Sequence, residues 1–512
     1  MKTLVLCPPV ISAERPPSGA AIVCAICKSL GHDVTANDLN IKFVRWCRAT
    51  GKDYDHFDRI FRKIVTPSEV DTMIIEQWLQ PYLDTIKQAE YDYIMISVFT
   101  YDSRFFTELL CKKLKEFFKG KIVVGGMGLD SLSIFDNNEV KFGTQLKKQG
   151  LVDTIITGEA ERSLTEYLRG QSAPGVDDYD YEQLDNLDNM PFPDYSYFDT
   201  DDYDHVNGKK SFFITGSRGC VRKCTFCDVE RFWPKFRYRS GENIAREIID
   251  NYERFGVTNF YFTDSLVNGN QKNFLQMCEM LAKYPFAEKL HWGGQFIFLP
   301  KKALKDEHFE MISKAGGSDF YVGLETGSDR VRKEMGKNFT NEDTDYQLEM
   351  FEKYNLHVMF LMFTGYLSET IEDHQDTVDM FKRWQRYVAS GTIIGVDLGL
   401  LLIIYPNTPL SRLIDQHEMM FAEVPNYTGQ LTGLFWKSDL NKNLDIRERI
   451  RRRIEINETA IKYNWPVWRG PGRLTDIKNM ITETNLQSGS LSYKKIIDIK
   501  PTKSSSETLT LE

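Results

Sequence analysis

Cys220, Cys224 and Cys227 fall within the stretch "GCVRKCTFCD" (219–228) of a 512-residue chain that has only nine cysteines. The spacing C-x3-C-x2-C lets one loop aim three thiolates at one centre. Thiolates are soft donors, suited to zinc or to an iron–sulfur cluster. A structural zinc site takes four ligands, but the nearest histidine is His205 and no second cysteine pair follows at zinc-ribbon spacing. A [4Fe–4S] cluster ordinarily takes four cysteines. Three would leave one iron open to another ligand, much as catalytic metal sites keep a position for substrate.

Such a loop needs a scaffold, and the flanking patterns describe one. Residues 1–170 alternate apolar runs ("KTLVLC", "YDYIMISVFT", "KIVVGGMG", "VDTIITGEAE") with amphipathic stretches such as "GAAIVCAICKSLGH" and "FFTELLCKKLKEFF". This pattern implies a parallel sheet covered on both faces, a doubly wound, Rossmann-like α/β domain. Ligands of such sheets bind at the carboxyl ends of strands, here the loops at Pro8-Pro9, Ser97–Thr100 and Gly125-Gly126. Residues 171–208 contain no Lys or Arg and read as an acidic linker whose aromatics dock locally. From 209 to 410, six strand–helix units run from "SFFITGSRG" to "IIGVDLGLLLIIYP". Repeated units of this kind wind into a partial (β/α)6 barrel of TIM type. The cysteines follow its first strand, at the face where barrel active sites lie. Residues 411–512 read as a mainly helical region with a loose tail, "KPTKSSSETLTLE". Within it the basic run 447–463 reads as a helix with a charged outer face.

Composition narrows the function classes. The net charge is −9, with pI about 5.6, which argues against a broad nucleic-acid footprint. The most apolar stretch, 392–405, is short for a membrane span and carries Asp397, so it is expected to be a buried strand. The start "MKTLVLCPPV" lacks the apolar core of a signal peptide. A reducing cytoplasm is therefore expected, where clustered thiols serve metals or catalysis. Cys24 and Cys27, a C-x2-C in an apolar helical stretch, read as core.

The cysteine spacing, with Phe226 before the third thiol, resembles the radical SAM superfamily. The likeness covers about 210–410 and includes "YFTDS" (261–265), "VGLETGSDRVRKEMGK" (322–337), "TGYLSETIEDHQDT" (364–377) and "YPNTPL" (405–410). The resemblance implies a [4Fe–4S] cluster on the three cysteines, with S-adenosylmethionine (SAM) on the open iron. It further implies reductive cleavage of SAM to methionine and a 5′-deoxyadenosyl radical. Phe226, Thr263, Asp264, Ser265 and Glu325 are the residues it places near SAM.

The first domain resembles the cobalamin-binding-like domain that precedes many radical SAM cores. Ser97, Gly125 and Gly126 stand where that fold accommodates the nucleotide tail of cobalamin. The cobalt-coordinating Asp-x-His-x-x-Gly is absent, and Asp38-Leu39-Asn40 stands there instead.

The resemblance therefore implies a cytoplasmic radical SAM enzyme, a C-methyltransferase if cobalamin is bound. Its electron donor would be a flavodoxin or ferredoxin. The alternatives are a cobalamin-independent radical rearrangement, cyclisation or oxidation, a methylthiotransferase, and a non-enzymatic iron–sulfur electron carrier or sensor. The substrate is not legible in the sequence.

Overall fold

The computed structural model describes residues 1–130, 141–171, 178–206, 208–399, 401–406, 408–422, 424, 433–468 and 493–494. Its first sheet contains β1 (Lys2–Cys7), β2 (Asp33–Asp38), β3 (Tyr93–Ser97), β4 (Lys121–Gly125), β5 (Thr154–Thr157) and β6 (Asp178–Asp180). The order is β2-β1-β3-β4-β5-β6 and every pair is parallel. Strand alternation sends Leu4 and Leu6 to one side and Val5 and Cys7 to the other, and all four are buried. This is the doubly wound arrangement that the apolar runs imply.

Each face has its own cover. Leu4 and Leu6 join a core with Phe43, Phe57, Phe61 and Trp78. These aromatics come from three helices between β2 and β3, Leu39–Thr50, Tyr54–Phe61 and Glu69–Gln88, which the apolar patterning leaves unassigned. The rings of Phe43 and Trp78 meet edge to face at 4.8 Å, an arrangement that favours aromatic packing. On the opposite face, the helix Ser18–Ser29 buries Cys24 and Cys27 as core residues.

The acidic stretch does more than connect. Residues 178–180 add β6 to the sheet, and Tyr195, Phe198 and Tyr203 are buried in the core that reaches the barrel. Its carboxylates are also used: Asp194 pairs with Lys28 and Arg254. One apolar core therefore runs from the first sheet into the second.

The second sheet contains β7 (Ser211–Ile214), β10 (Asn259–Phe262), β11 (His291–Phe296), β12 (Gly317–Glu325), β13 (His357–Met362) and β14 (Ile393–Asp397). They pair in chain order, all parallel, with β7 and β14 as edges, an open partial barrel. Between β7 and β10 lies a two-stranded antiparallel pair, β8 (Ser217–Arg218) with β9 (Arg237–Tyr238). It closes the base of the cysteine loop.

The C-terminal region is built on the helix Ile446–Lys462. A small antiparallel sheet of β15 (Met420–Ala422), β16 (Trp436–Lys437) and β17 (Tyr493–Lys494) accompanies it. Only part of the basic run on this helix faces solvent, with Arg447 and Arg451 exposed. Arg449, Arg452 and Arg453 are buried. Arg449 donates to the Leu434 and Trp436 carbonyls, and Arg452 pairs with Glu369 at 2.8 Å. Planar guanidinium groups satisfy several carbonyls at once, which the charge pattern alone could not show. The tail 500–512 lies outside the described residues.

Candidate active site

The cysteine loop starts beside the edge strand β7 and is pinned on the far side of the barrel mouth. Gly219 adopts φ +82°, and a Cβ there would stand 2.7 Å from the Lys235 carbonyl. Glycine is thus required where the loop leaves β8. Thr225 is the fastening point. Its N–H donates to the Met335 carbonyl at 3.1 Å, and its carbonyl accepts from the Leu410 N–H at 2.8 Å. Its hydroxyl bonds the Tyr366 hydroxyl at 2.8 Å. These partners follow β12, β13 and β14, so the three distant motif segments meet on one residue of the loop.

The thiols of Cys220, Cys224 and Cys227 are unbridged and half-buried. Burial pushes all three above the ordinary thiol value, Cys227 to about 12, while the Lys337 charge opposes this at Cys220 and Cys224. Metal binding must therefore displace protons. Among the described residues no three His, Cys, Asp or Glu side chains are grouped to hold a single metal ion. Thiolates are the donors that iron–sulfur clusters take, and the three cysteines of this loop supply them.

Beside this loop lies a buried ion pair. Glu325, at the end of β12, has φ +66°, and the register with β13 shifts between Gly323 and Glu325. A bulge of this kind re-aims a side chain. The Glu325 carboxylate meets the Lys337 ammonium at 2.8 Å, and Lys337 also donates to the Gly323 carbonyl at 2.7 Å. A Cβ on Gly323 would come within 2.6 Å of that ammonium. Lys337 lies over the Phe226 ring at 6.0 Å, and Phe226 packs edge-on against Phe363 at 4.9 Å.

The remaining residues expected near SAM separate into two groups. Thr263 is exposed at the mouth and its hydroxyl bonds that of Thr215 at 2.8 Å, while Ser265 is half-buried. Asp264 points elsewhere. Its carboxylate is buried and accepts from the Gly216 N–H at 2.8 Å and the Ser217 hydroxyl at 2.6 Å. Burial lifts its pKa to about 7. Asp264 braces the turn into the cysteine loop, a placement that the sequence expectation of a SAM contact did not include.

In the first domain, Ser97 and Gly125 pair in register at adjacent strand ends and both are half-buried. Gly126 has φ +118°, and a Cβ there would meet the Val98 carbonyl at 2.4 Å. Loop packing alone thus demands glycine at 126. Where a cobalt-coordinating histidine would come, Asp38 caps the following helix and accepts from the Tyr203 hydroxyl at 2.8 Å. Asn40 holds both the N–H and the carbonyl of Ile11. On the same rim Phe99 is 63% exposed, an apolar ring presented at the carboxyl edge where this fold takes ligands.

The spacing of residues does not single out Lys337 or Thr225. Lys337 closes the stretch 322–337, where its type alone assigns it no role. Thr225 carries no local signal, because its partners lie more than 100 residues further on.

Residues 214–381 match the family model of the radical SAM superfamily. An uncharacterized methyltransferase of Pyrococcus horikoshii is 22% identical over 263 residues, covering 47% of this chain and 55% of that protein. The chain spans about half the length of the curated relatives it matches. Among solved structures, the cobalamin-dependent SAM radical enzyme OxsB with aqua-cobalamin bound aligns over 95% of this chain and 76% of its own, with TM-score 0.61 and 15% identity. The radical SAM methyltransferase TsrM of Kitasatospora setae, with cobalamin and a [4Fe–4S] cluster bound, covers 81% of this chain and 78% of its own (TM-score 0.57, 14% identity). These structures share the fold across both domains. With its cysteine loop at the mouth of a partial barrel and a family model matching residues 214–381, the chain contains a radical SAM domain, preceded by a domain that shares its fold with the cobalamin-bound structures.

Proposed function

We propose that this chain is a radical SAM enzyme that methylates an unactivated carbon with the aid of cobalamin. The carrying observation is the cysteine loop, three unbridged thiols held at the barrel mouth by Thr225 beside the buried Glu325–Lys337 pair. Cys220, Cys224 and Cys227 would hold a [4Fe–4S] cluster, leaving one iron for SAM. When bound, cluster and SAM supply a 5′-deoxyadenosyl radical, and cobalamin supplies the methyl group transferred after hydrogen abstraction. The electron would come from a flavodoxin- or ferredoxin-type donor.

The chain's own residues position and enclose. Glu325, fixed by its bond to Lys337, offers acceptors to the hydroxyls or amine of SAM. Thr263 and Ser265 offer hydroxyls at the same mouth. Phe226 and Phe363 exclude water from the side of the cysteine loop, which strengthens the electrostatics inside. In the first domain Ser97, Gly125 and Gly126 would face the cobalamin tail, and Phe99 would cover part of the cofactor.

Anaerobic reconstitution with iron and sulfide tests the reading. About four irons per chain are expected, with 5′-deoxyadenosine formed from SAM on dithionite reduction. Iron near eight would indicate the second cluster of a methylthiotransferase, and cluster reduction that never yields 5′-deoxyadenosine would indicate a carrier or sensor. Expression with added cobalamin should give a bound corrinoid absorption spectrum. The packing demand at Gly126 and the missing histidine favour a second reading, a cobalamin-independent radical rearrangement, cyclisation or oxidation. A colourless first domain in that experiment selects it.

A further inference from the structure

Lys337 is a buried cation whose charge acts on Cys220 and Cys224, and the proposed chemistry gives it no role beyond pairing. The segment Met335–Lys337 lies directly on residues 223–225. Met335 accepts from the Thr225 N–H at 3.1 Å, and a Cβ on Gly336 would stand 3.1 Å from the Lys223 carbonyl and 3.5 Å from the Cys224 Cα. No solvent layer fits between them. Lys337 is 8% exposed and Glu325 9%. The ammonium pairs with the Glu325 carboxylate, donates to the Gly323 carbonyl and lies over the face of Phe226, which sits between Cys224 and Cys227. A buried charge at such range is weakly screened. Salt-bridge formation for stability alone is a poor account, because replacing such a pair with apolar groups is often neutral or stabilising.

We propose that Lys337 is a positioning residue that acts electrostatically. It holds Glu325 in its left-handed bulge and offsets the negative charge that the cluster gains on reduction. The inference rests on the reading that Cys220, Cys224 and Cys227 hold a [4Fe–4S] cluster. The step concerned is the uptake of one electron by the oxidised cluster, with no bond made or broken and no proton required. A fixed positive charge favours the reduced form, and the neighbouring carboxylate opposes it. The two residues should therefore shift the cluster potential in opposite directions.

The test uses the full chain, reconstituted anaerobically, without SAM. Dithionite titration in the presence of redox dyes is read by cluster absorbance and by the electron paramagnetic resonance of the reduced state. Relative to wild type, K337M should move the midpoint potential to more negative values and E325Q to more positive ones. K337R, which keeps the charge, should stay near wild type. A purely structural lysine would alter iron retention without this pattern of signs. Equal iron content with unshifted midpoints, or shifts of the same sign in K337M and E325Q, overturns the inference while leaving the cluster reading intact. If K337M loads no iron, E325Q decides: a positive shift supports the proposal and an unshifted midpoint overturns it. A wild-type chain that takes up no iron overturns both.

Discussion

The thiols of Cys220, Cys224 and Cys227 are half-buried and unbridged, so their removal should cost binding far more than folding. C220A, C224A and C227A should each lose the cluster, with iron falling from about four per chain toward zero. The unloaded variants should stay within about 1 kcal/mol of the unloaded wild type in urea unfolding. Asp264 makes a different prediction. Its pKa rises to about 7 because the carboxylate is buried. The folded chain therefore holds a proton that the unfolded chain releases near pH ~4. This contribution is complete below the unfolded pKa and is lost as pH rises through about 7. Ionising the buried carboxylate therefore weighs against the folded state. D264N cannot ionise, so its urea midpoint should fall less than wild type between about pH 5 and about pH 8. Similar slopes in both proteins would refute the assignment. The sequence marks Asp264 as polar at a strand end, but only burial determines which way it faces.

Among the elements, the cysteine loop shows how local spacing and distant contacts divide the work. Thr225 and Tyr366 share one hydroxyl contact at 2.8 Å. T225V and Y366F should each destabilise the loop by about 1 kcal/mol, and the double variant should cost less than their sum. T225S should retain cluster stability, measured as the rate of iron loss to a chelator, whereas T225V should speed that loss. The first domain offers a backbone test. Gly126 has φ +118° and no room for a Cβ beside the Val98 carbonyl, so G126A should cost about 2–4 kcal/mol by thermal or urea unfolding. An unchanged midpoint would mean the loop is not held as described. The strands at both sites are legible from apolar runs. The three helices between β2 and β3 are not, because their aromatics bury against one another, the sheet and Phe106 of a later helix, all contacts made by tertiary packing.

On the scale of the whole molecule, arginines beside the cysteine loop tie the domains together. Arg218 on β8 meets Glu159 at 2.9 Å and Glu161 at 2.5 Å. Arg237 on β9 also pairs with Glu159. Both strands of the pair that closes the loop are thus clamped to the end of the first sheet. Arg15, from the loop after β1, bonds Ser211 at 2.8 Å and lies over Phe213 and Tyr261 of the barrel. E159A would leave Arg218 and Arg237 in a buried site without their shared carboxylate. Such a loss costs about 3–5 kcal/mol, to be read as a lower melting temperature with the two domains no longer melting in one transition.

Residue type and local order by themselves determined the three-thiol motif, the two sets of alternating strands and the glycines at tight turns. Each of these depends on neighbours within a few positions, through strand periodicity, backbone freedom and ligand spacing. Tertiary structure alone decided that Asp264 braces the turn, that the arginines at 449, 452 and 453 are buried, and that Lys337 reaches Glu325 beside Cys224. Those outcomes depend on which distant segments share a low-dielectric interior. There a charge must find a partner, and the choice of partner is made by the fold.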